Sequence, residues 1–413
     1  MRRINQFFDI WEAQKLLVSN IKPLVEKERV HVFESAERVL CEPFIAPTDL
    51  PPYDSSHMDG FAVRSADLQT ASLHSPISLK NIATCTPGQP PYLRLTPGTT
   101  ARILTGAYLP EGADAVVPQE EVTVEGDQVI FTSPVTPYQY VDLKGFDVKR
   151  GQTLFEEGHR LKMADAVLLA SMGVGSIEVF VKPRVGVLAV GDELTDDFGE
   201  TRRGKVLNTH THLVKKLVQS CGGRFIFLGI IRDDPIALQE TVQNHYNQVH
   251  MFLSIAGSSI SEKDVSSIFT SKQSTGAFVH GLKLQPGRVG GFGFIGEKPL
   301  ILLPGLIMST LNVFMFLAYP AIRRLLHQQP LFYHHRLKAE LTETVRFRKY
   351  HDFVKVVWVS VKERDDKVFC VPNYGESSGM SIPSRSDGFI IGMPGVKEIT
   401  EGSKVWVHYP PTL

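Results

Sequence analysis

Acidic and hydroxyl side chains recur in one local context along the middle of the chain. Asp192 and Glu193 follow the apolar run RVGVLAV, Asp233 and Asp234 follow RFIFLGII, and Ser258, Ser259 and Asp264 follow VHMFLSIAG. Pro304, Gly305 and Ser309 come after KPLILL in the same way. Carboxylates gathered at one place repel each other, and their pKa values rise unless a cation or a donor compensates. A divalent ion solves that problem. Magnesium takes one or two carboxylates together with waters and ligand phosphates, so Asp233, Asp264 and Glu193 suit a magnesium-nucleotide or magnesium-oxyanion site. Serine hydroxyls and helix N-terminal amides would hold the anion itself. The stretch LQPGRVGGFG adds Arg288 among glycines, where backbone can approach a ligand closely.

These residues need a scaffold that brings them together. From 184 to about 327 the chain alternates strand, loop and helix, and its continuous apolar strands indicate a parallel sheet covered on both faces. Ligands of such sheets bind beyond the carboxyl ends of the strands, so every strong polar cluster of this region falls on one edge. Taken alone, RDDP would be a helix cap and turn, and GDEL a loop. His210 and His212 lie two apart near a helix start and so do not share a face for metal ligation.

Length and composition bound the rest. At 413 residues the chain should hold two to four domains of roughly 100–200 residues each. Its 44 basic residues balance 44 acidic ones, which gives no global field for nucleic acid or an acidic membrane. Cys41, Cys85, Cys221 and Cys370 lie far apart without a CxxC pair, which argues against zinc or a disulfide framework and for a reducing, cytoplasmic setting. Residues 299–322 approach the roughly 20 apolar residues of a membrane span. Pro304-Gly305 breaks that run and Asn312 polarises it, so the expectation is a buried strand, a tight loop and a buried helix, without membrane insertion. Residues 1–27 read as an amphipathic helix. A β-rich stretch follows, then a turn-rich segment with the helix KMADAVLLASMGV, and alternating strands return after about 330.

The loop LPPYDSSHMDGFA, residues 50–62, is dense in turn formers and hydrogen-bonding groups. Together with RILTGAYLPEGADAVVPQEEV, GFDVKRG, GVLAVGDEL, LGIIRDDP and LLPG, in that order, it resembles the MoeA family, the molybdopterin molybdenumtransferases that include the gephyrin E domain. The resemblance covers essentially the whole chain. It implies a multidomain α/β plus β protein: a helical linker domain in two segments (1–45 and 140–180), a β-rich inserted domain (46–139), a MogA-like α/β domain with a mostly parallel sheet (181–328) and a C-terminal β-barrel (329–413). It also implies a homodimer in which Asp59 and Thr105 of one subunit face the α/β domain of the other.

The activity implied is magnesium-dependent insertion of molybdate into adenylylated molybdopterin with release of AMP. A molybdopterin adenylyltransferase would act upstream and apo-molybdoenzymes downstream. By resemblance, Asp233 and Asp264 would hold Mg2+ and Glu193 would support them. Ser259, Arg288 and Ser309 would bind oxyanion oxygens, and Asp147 would contribute from behind. The chain departs from the family pattern where Gln285 replaces a lysine, Arg288 a lysine and Lys355 an arginine, and where Asn208-Thr209-His210 replaces Asp-Ser-Asn. Arginine for lysine keeps a charge with different geometry, whereas glutamine loses one. The alternative is therefore a catalytically weakened relative that binds molybdopterin or serves as a scaffold. An adenylyltransferase acting one step earlier is a third reading.

Overall fold

The computed structural model describes residues 7–257, 265–329 and 335–410. The chain divides into two compact units, Val30–Ala36 with Glu42–Ile177, and Met1–Arg29 with Glu37–Cys41 and Glu178–Leu413. Helix α1 (Ile10–Ser19) begins at Asp9, whose carboxylate accepts from the backbone N–H of Trp11 at 2.8 Å and of Glu12 at 3.1 Å. The expectation of a helix through residue 27 is corrected, because the chain leaves the helix at Asn20 and Pro23 follows. Proline disfavours helical backbone at the residue before it. Ile10, Ala13 and Leu17 form the buried face of α1.

The smaller unit is built on six strands, β1 (Gly60–Val63), β2 (Ile77–Cys85), β3 (Thr99–Ile103), β4 (Ala115–Pro118), β5 (Val122–Glu125) and β6 (Gln128–Phe131), in the order β4-β1-β3-β2-β6-β5. Both faces of β1 are buried. Phe61 and Val63 join Leu79, Val129 and Phe131 in one core, while Ala62 joins Ile103 and Val116 in another. That split is the two-residue period of a strand. Gly60 cannot be replaced, since a Cβ there would lie 2.1 Å from the Val117 carbonyl oxygen on β4. Helix α2 (Met163–Ser171) belongs to the same unit.

In the larger unit, strands β7 (Arg184–Val190), β8 (Arg224–Ile231), β9 (Met251–Ile255), β10 (Val279–His280), β11 (Leu284–Gln285), β12 (Gly291–Ile295) and β13 (Lys298–Leu303) appear in chain order. A sheet of order β8-β7-β9-β13-β12-β10 results, parallel from β8 to β13 and antiparallel beyond. Val185, Val187, Leu253 and Ile301 pack toward α1 and α3 (Thr209–Ser220), whereas Leu188, Val190, Phe252 and Leu302 pack toward Leu238 and Val242 of α4 (Pro235–His245). Helices therefore cover both faces, as the continuous apolar strands require. Helix α5 (Val265–Gln273) lies on the α4 side, where Phe269 enters the core.

The apolar segment 299–322 folds as expected, with β13, the turn at Pro304–Leu306, and a buried helix. That helix runs as α6 (Ile307–Val313), a π-turn over Phe314–Ala318, and α7 (Tyr319–Leu325). Pro320 explains the π-turn, because it has no N–H to offer the carbonyl four residues back. That carbonyl belongs to Phe316, and the Gln14 side chain of α1 donates to it at 2.8 Å instead. Among the described residues no helix is long and apolar enough to cross a membrane.

Strands β14 (His335–Leu341), β15 (Val354–Arg364), β16 (Lys367–Pro372), β17 (Gly388–Gly392) and β18 (Lys404–Tyr409) close on themselves as β15-β16-β14-β18-β17-β15, a five-stranded barrel. The 11 residues of β15 make closure feasible, since one end pairs with β17 and the other with β16. Strand β11 adds to the barrel in parallel with β15. The chain segment between β10 and β12 thus leaves the α/β sheet and contributes β11 to the barrel's sheet.

Candidate functional site

In the smaller unit the 50–62 loop presents Asp59 at the surface. Thr105 donates to one oxygen, Oδ1 of Asp59, twice: its backbone N–H at 2.7 Å and its hydroxyl at 2.7 Å. The backbone donor first, then the hydroxyl, holds the Asp59 carboxyl below the usual carboxylate range. Asp147 is exposed in a neighbouring loop that is tied to this stretch, its amide donating to the Leu50 carbonyl at 3.0 Å. Asp54 fastens the same loops, accepting from the Lys144 amide at 2.8 Å. The turn formers and hydrogen-bonding groups of 50–62 thus build a platform that holds a charged carboxylate in the open.

In the larger unit the carboxyl ends of four parallel strands form one rim. The Gly191 amide bonds to Ile231 at 3.0 Å, and the Ala256 amide to Leu303 at 2.9 Å, which registers the loops after β7, β8, β9 and β13 side by side. Asp234 is the cap of α4, accepting from Ile236 at 3.1 Å and Ala237 at 3.3 Å. Asp233 instead turns toward the preceding loop, where the Asp192 amide makes a long contact to its Oδ2 at 3.5 Å. Glu193 sits in that loop, its carbonyl bonded by the Val206 amide at 2.8 Å. Ser258, Ser259 and Asp264 lie outside the described residues. Among the described residues no group of three or more His, Cys, Asp or Glu side chains is placed to hold a metal ion.

Gln285, Arg288, Ser309 and Lys355, separated by up to 70 positions in sequence, line one cleft of about 720 Å³ between the α/β part and the barrel. Each arrives for a local reason. Gln285 and Lys355 face each other in register on the parallel strands β11 and β15, and the Lys355 ammonium donates to Gln285 Oε1 at 2.7 Å and to the Lys349 carbonyl at 2.6 Å. Gly287 turns the chain after β11 with φ +131°, and a Cβ there would meet Leu284 at 2.9 Å. Arg288 follows on that turn. Ser309 occupies the first turn of α6 and is 6% exposed, while the Met308 amide beside it is capped by the Ser377 carbonyl at 3.2 Å. Asn312 locks the three parts together: its amide donates to the Pro286 carbonyl at 2.9 Å, and its oxygen accepts from the buried Trp358 indole of β15 at 3.3 Å.

The cleft is cationic. Among the described residues, Arg288, Arg346, Arg348, Lys349 and Lys355 line it against one carboxylate, that of Glu376. Arg346 is partly committed to Glu398 at 3.2 Å. Burial pushes Lys355 down to about 8, against a smaller upward pull from Asp352. Sequence reasoning missed the RFRKY segment, residues 346–350, because a short basic run reads as a solvated surface. Its signal was the alternation of cations with aromatics. The turn at Pro304–Leu306 belongs both to the rim and, through Leu306, to the cleft wall.

Residues 8–173 match the MoeA N-terminal region (domain I and II), and residues 186–324 match a probable molybdopterin binding domain. A molybdopterin molybdenumtransferase of Haemophilus influenzae is 31% identical over 319 residues, covering 77% of this chain and 78% of that protein. One of Nostoc sp. is 30% identical over 315 residues, covering 75% of this chain and 72% of its own length. The crystal structure of a molybdopterin biosynthesis MoeA protein from Pyrococcus horikoshii matches with a TM-score of 0.83 at 28% identity, over 98% of this chain and 99% of that one. The fold, with its α/β part and closed C-terminal barrel, agrees with that likeness. The chain belongs to the MoeA family, several of whose curated members are named molybdopterin molybdenumtransferases, and with it to the transferase enzymes.

Proposed function

We propose that the chain completes the molybdenum cofactor, inserting molybdenum from molybdate into adenylylated molybdopterin with release of AMP. The convergence of Gln285, Arg288, Ser309 and Lys355 in one cationic cleft beside a carboxylate rim carries this reading. Molybdate is a small tetrahedral dianion, and a cleft with Arg288, Lys355 and a helix first turn at Ser309 offers it charge and directed donors. Ser259, which follows β9 in sequence, would add a hydroxyl. The phosphoanhydride of the second substrate would lie along the rim. Fixed donors stabilise charge that develops there without having to reorganise.

The rim offers oxygen donors, the set a hard cation prefers, and magnesium commonly takes only one or two protein carboxylates beside a phosphate. Asp233 and Asp264 would hold Mg2+, with Glu193 supporting, and the bound ion would neutralise phosphate charge during hydrolysis. The chain would act as a homodimer, with Asp59 and Thr105 presented to the partner's site. Thr105 keeps Asp59 charged, so this carboxylate would orient a water or polar substrate group and not donate a proton. All four cysteines are buried and none is in a disulfide, which suits a reducing cytoplasm.

The test is to incubate purified protein with adenylylated molybdopterin, Mg2+ and molybdate, and to follow AMP release and reconstitution of an apo-molybdoenzyme. Molybdate-stimulated AMP release supports the enzyme. Tight pterin binding without turnover would replace it with the scaffold reading, which the Gln285 substitution favours.

A further inference from the structure

We propose that Tyr350 is a positioning residue of the anion cleft, holding Arg288 and Lys355 ready before any anion arrives. The inference rests on the reading of that cleft as the oxyanion site. Two cations that share a cleft repel each other, and without a restraint their flexible chains would turn toward solvent. Lys355 already donates to Gln285 and to the Lys349 carbonyl, and Tyr350 adds to its restraint and supplies one for Arg288. Its hydroxyl accepts a hydrogen bond from Nη1 of Arg288. Its ring lies 5.5 Å from the Arg288 guanidinium carbon and 5.5 Å from the Lys355 nitrogen, within the range at which the negative ring face attracts a cation.

The backbone points the same way. Tyr350 has φ +53°, a left-handed conformation that glycine or asparagine adopts far more easily than a bulky aromatic. Its carbonyl accepts from the Phe353 amide at 3.0 Å, which closes a turn directly before β15 and so delivers Lys355 two residues into that strand. Phe353 packs against Tyr350 with ring centroids 5.0 Å apart and lies 5.7 Å from the Lys355 nitrogen. Phe7 buttresses Phe353 in turn, at 5.1 Å. The side chain is therefore fixed from behind and meets cations in front, an arrangement suited to setting donors and not to filling a core.

The experiment is a double-mutant cycle on the full-length chain, read by calorimetric titration with molybdate, using wild type, Tyr350→Phe, Arg288→Ala and the double variant. Tyr350→Phe keeps the ring and removes only the hydroxyl, so its melting temperature should match wild type. Its molybdate affinity should fall by about fivefold, the size expected for one charge-assisted hydrogen bond that acts through a second residue. In the Arg288→Ala background the same change should cost nothing further. Unchanged affinity in Tyr350→Phe, beside a clear loss in Arg288→Ala, would overturn the positioning role while leaving the cleft as the anion site. Equal losses in both backgrounds would also overturn it, since Tyr350 would then act without Arg288. Unchanged affinity in Arg288→Ala would overturn the cleft reading itself.

Discussion

The Lys355 ammonium donates to the Gln285 side-chain oxygen at 2.7 Å across two parallel strands in register. A neutral acceptor therefore stands beside the Lys355 ammonium and holds it in place. Gln285→Lys should raise molybdate affinity by about fivefold at pH 6.5, worth about 1 kcal/mol, because a dianion can then pair with both ammonium groups. The gain should shrink toward pH 9, as neighbouring cations lower each other's pKa. Calorimetry at both pH values checks this, and a loss of affinity at pH 6.5 would show that Gln285 matters more as an anchor than as a missing charge.

Lys355 also sets a pH limit on the free cleft. Its pKa is lowered to about 8, so the ammonium is present below that value and is lost as pH rises through it. Anion affinity should be level below pH 8 and decline above it, by at most about tenfold per pH unit for one coupled proton. Lys355→Met should bind weakly at every pH without that inflection. A wild-type profile that stays level to pH 10 would contradict the assignment.

Asp59 should remain ionised well into the acid range because Thr105 donates to it twice. Thr105→Val removes the hydroxyl and leaves the backbone donor, so the Asp59 pKa should rise and the acid limb of turnover should move to higher pH. Carboxyl-carbon NMR titration reads the first effect. Asp59→Ala should abolish turnover with an unchanged melting temperature, since the side chain is exposed.

Asn312 joins the long helix, the Pro286 turn and the Trp358 indole. Asn312→Leu would leave a buried N–H and a carbonyl without partners, costing about 1–3 kcal/mol each in the worst case. Denaturant unfolding should detect the loss, and molybdate affinity should fall with it because Arg288 follows that turn.

Much of this was legible from residue order alone. The rim followed from strand, loop and helix in succession, because parallel strands place their carboxyl ends together. Asp233 and Asp234 were less separable, since both read as a cap and only one can be; the structure gives that task to Asp234. The cleft wall at residues 346–350 was not read as a site, since its one signal, cations alternating with aromatics, is short and also suits a solvated basic face. The π-turn was likewise hidden. Pro320 announces a missing donor, but only the docked α1 reveals that Gln14 supplies it.

The most direct measurement is anomalous diffraction from crystals soaked in tungstate, the heavier tetrahedral analogue of molybdate. A peak within hydrogen-bonding distance of Arg288, Ser309 and Lys355 is expected. A saturated peak elsewhere, with this cleft vacant, would contradict the assignment.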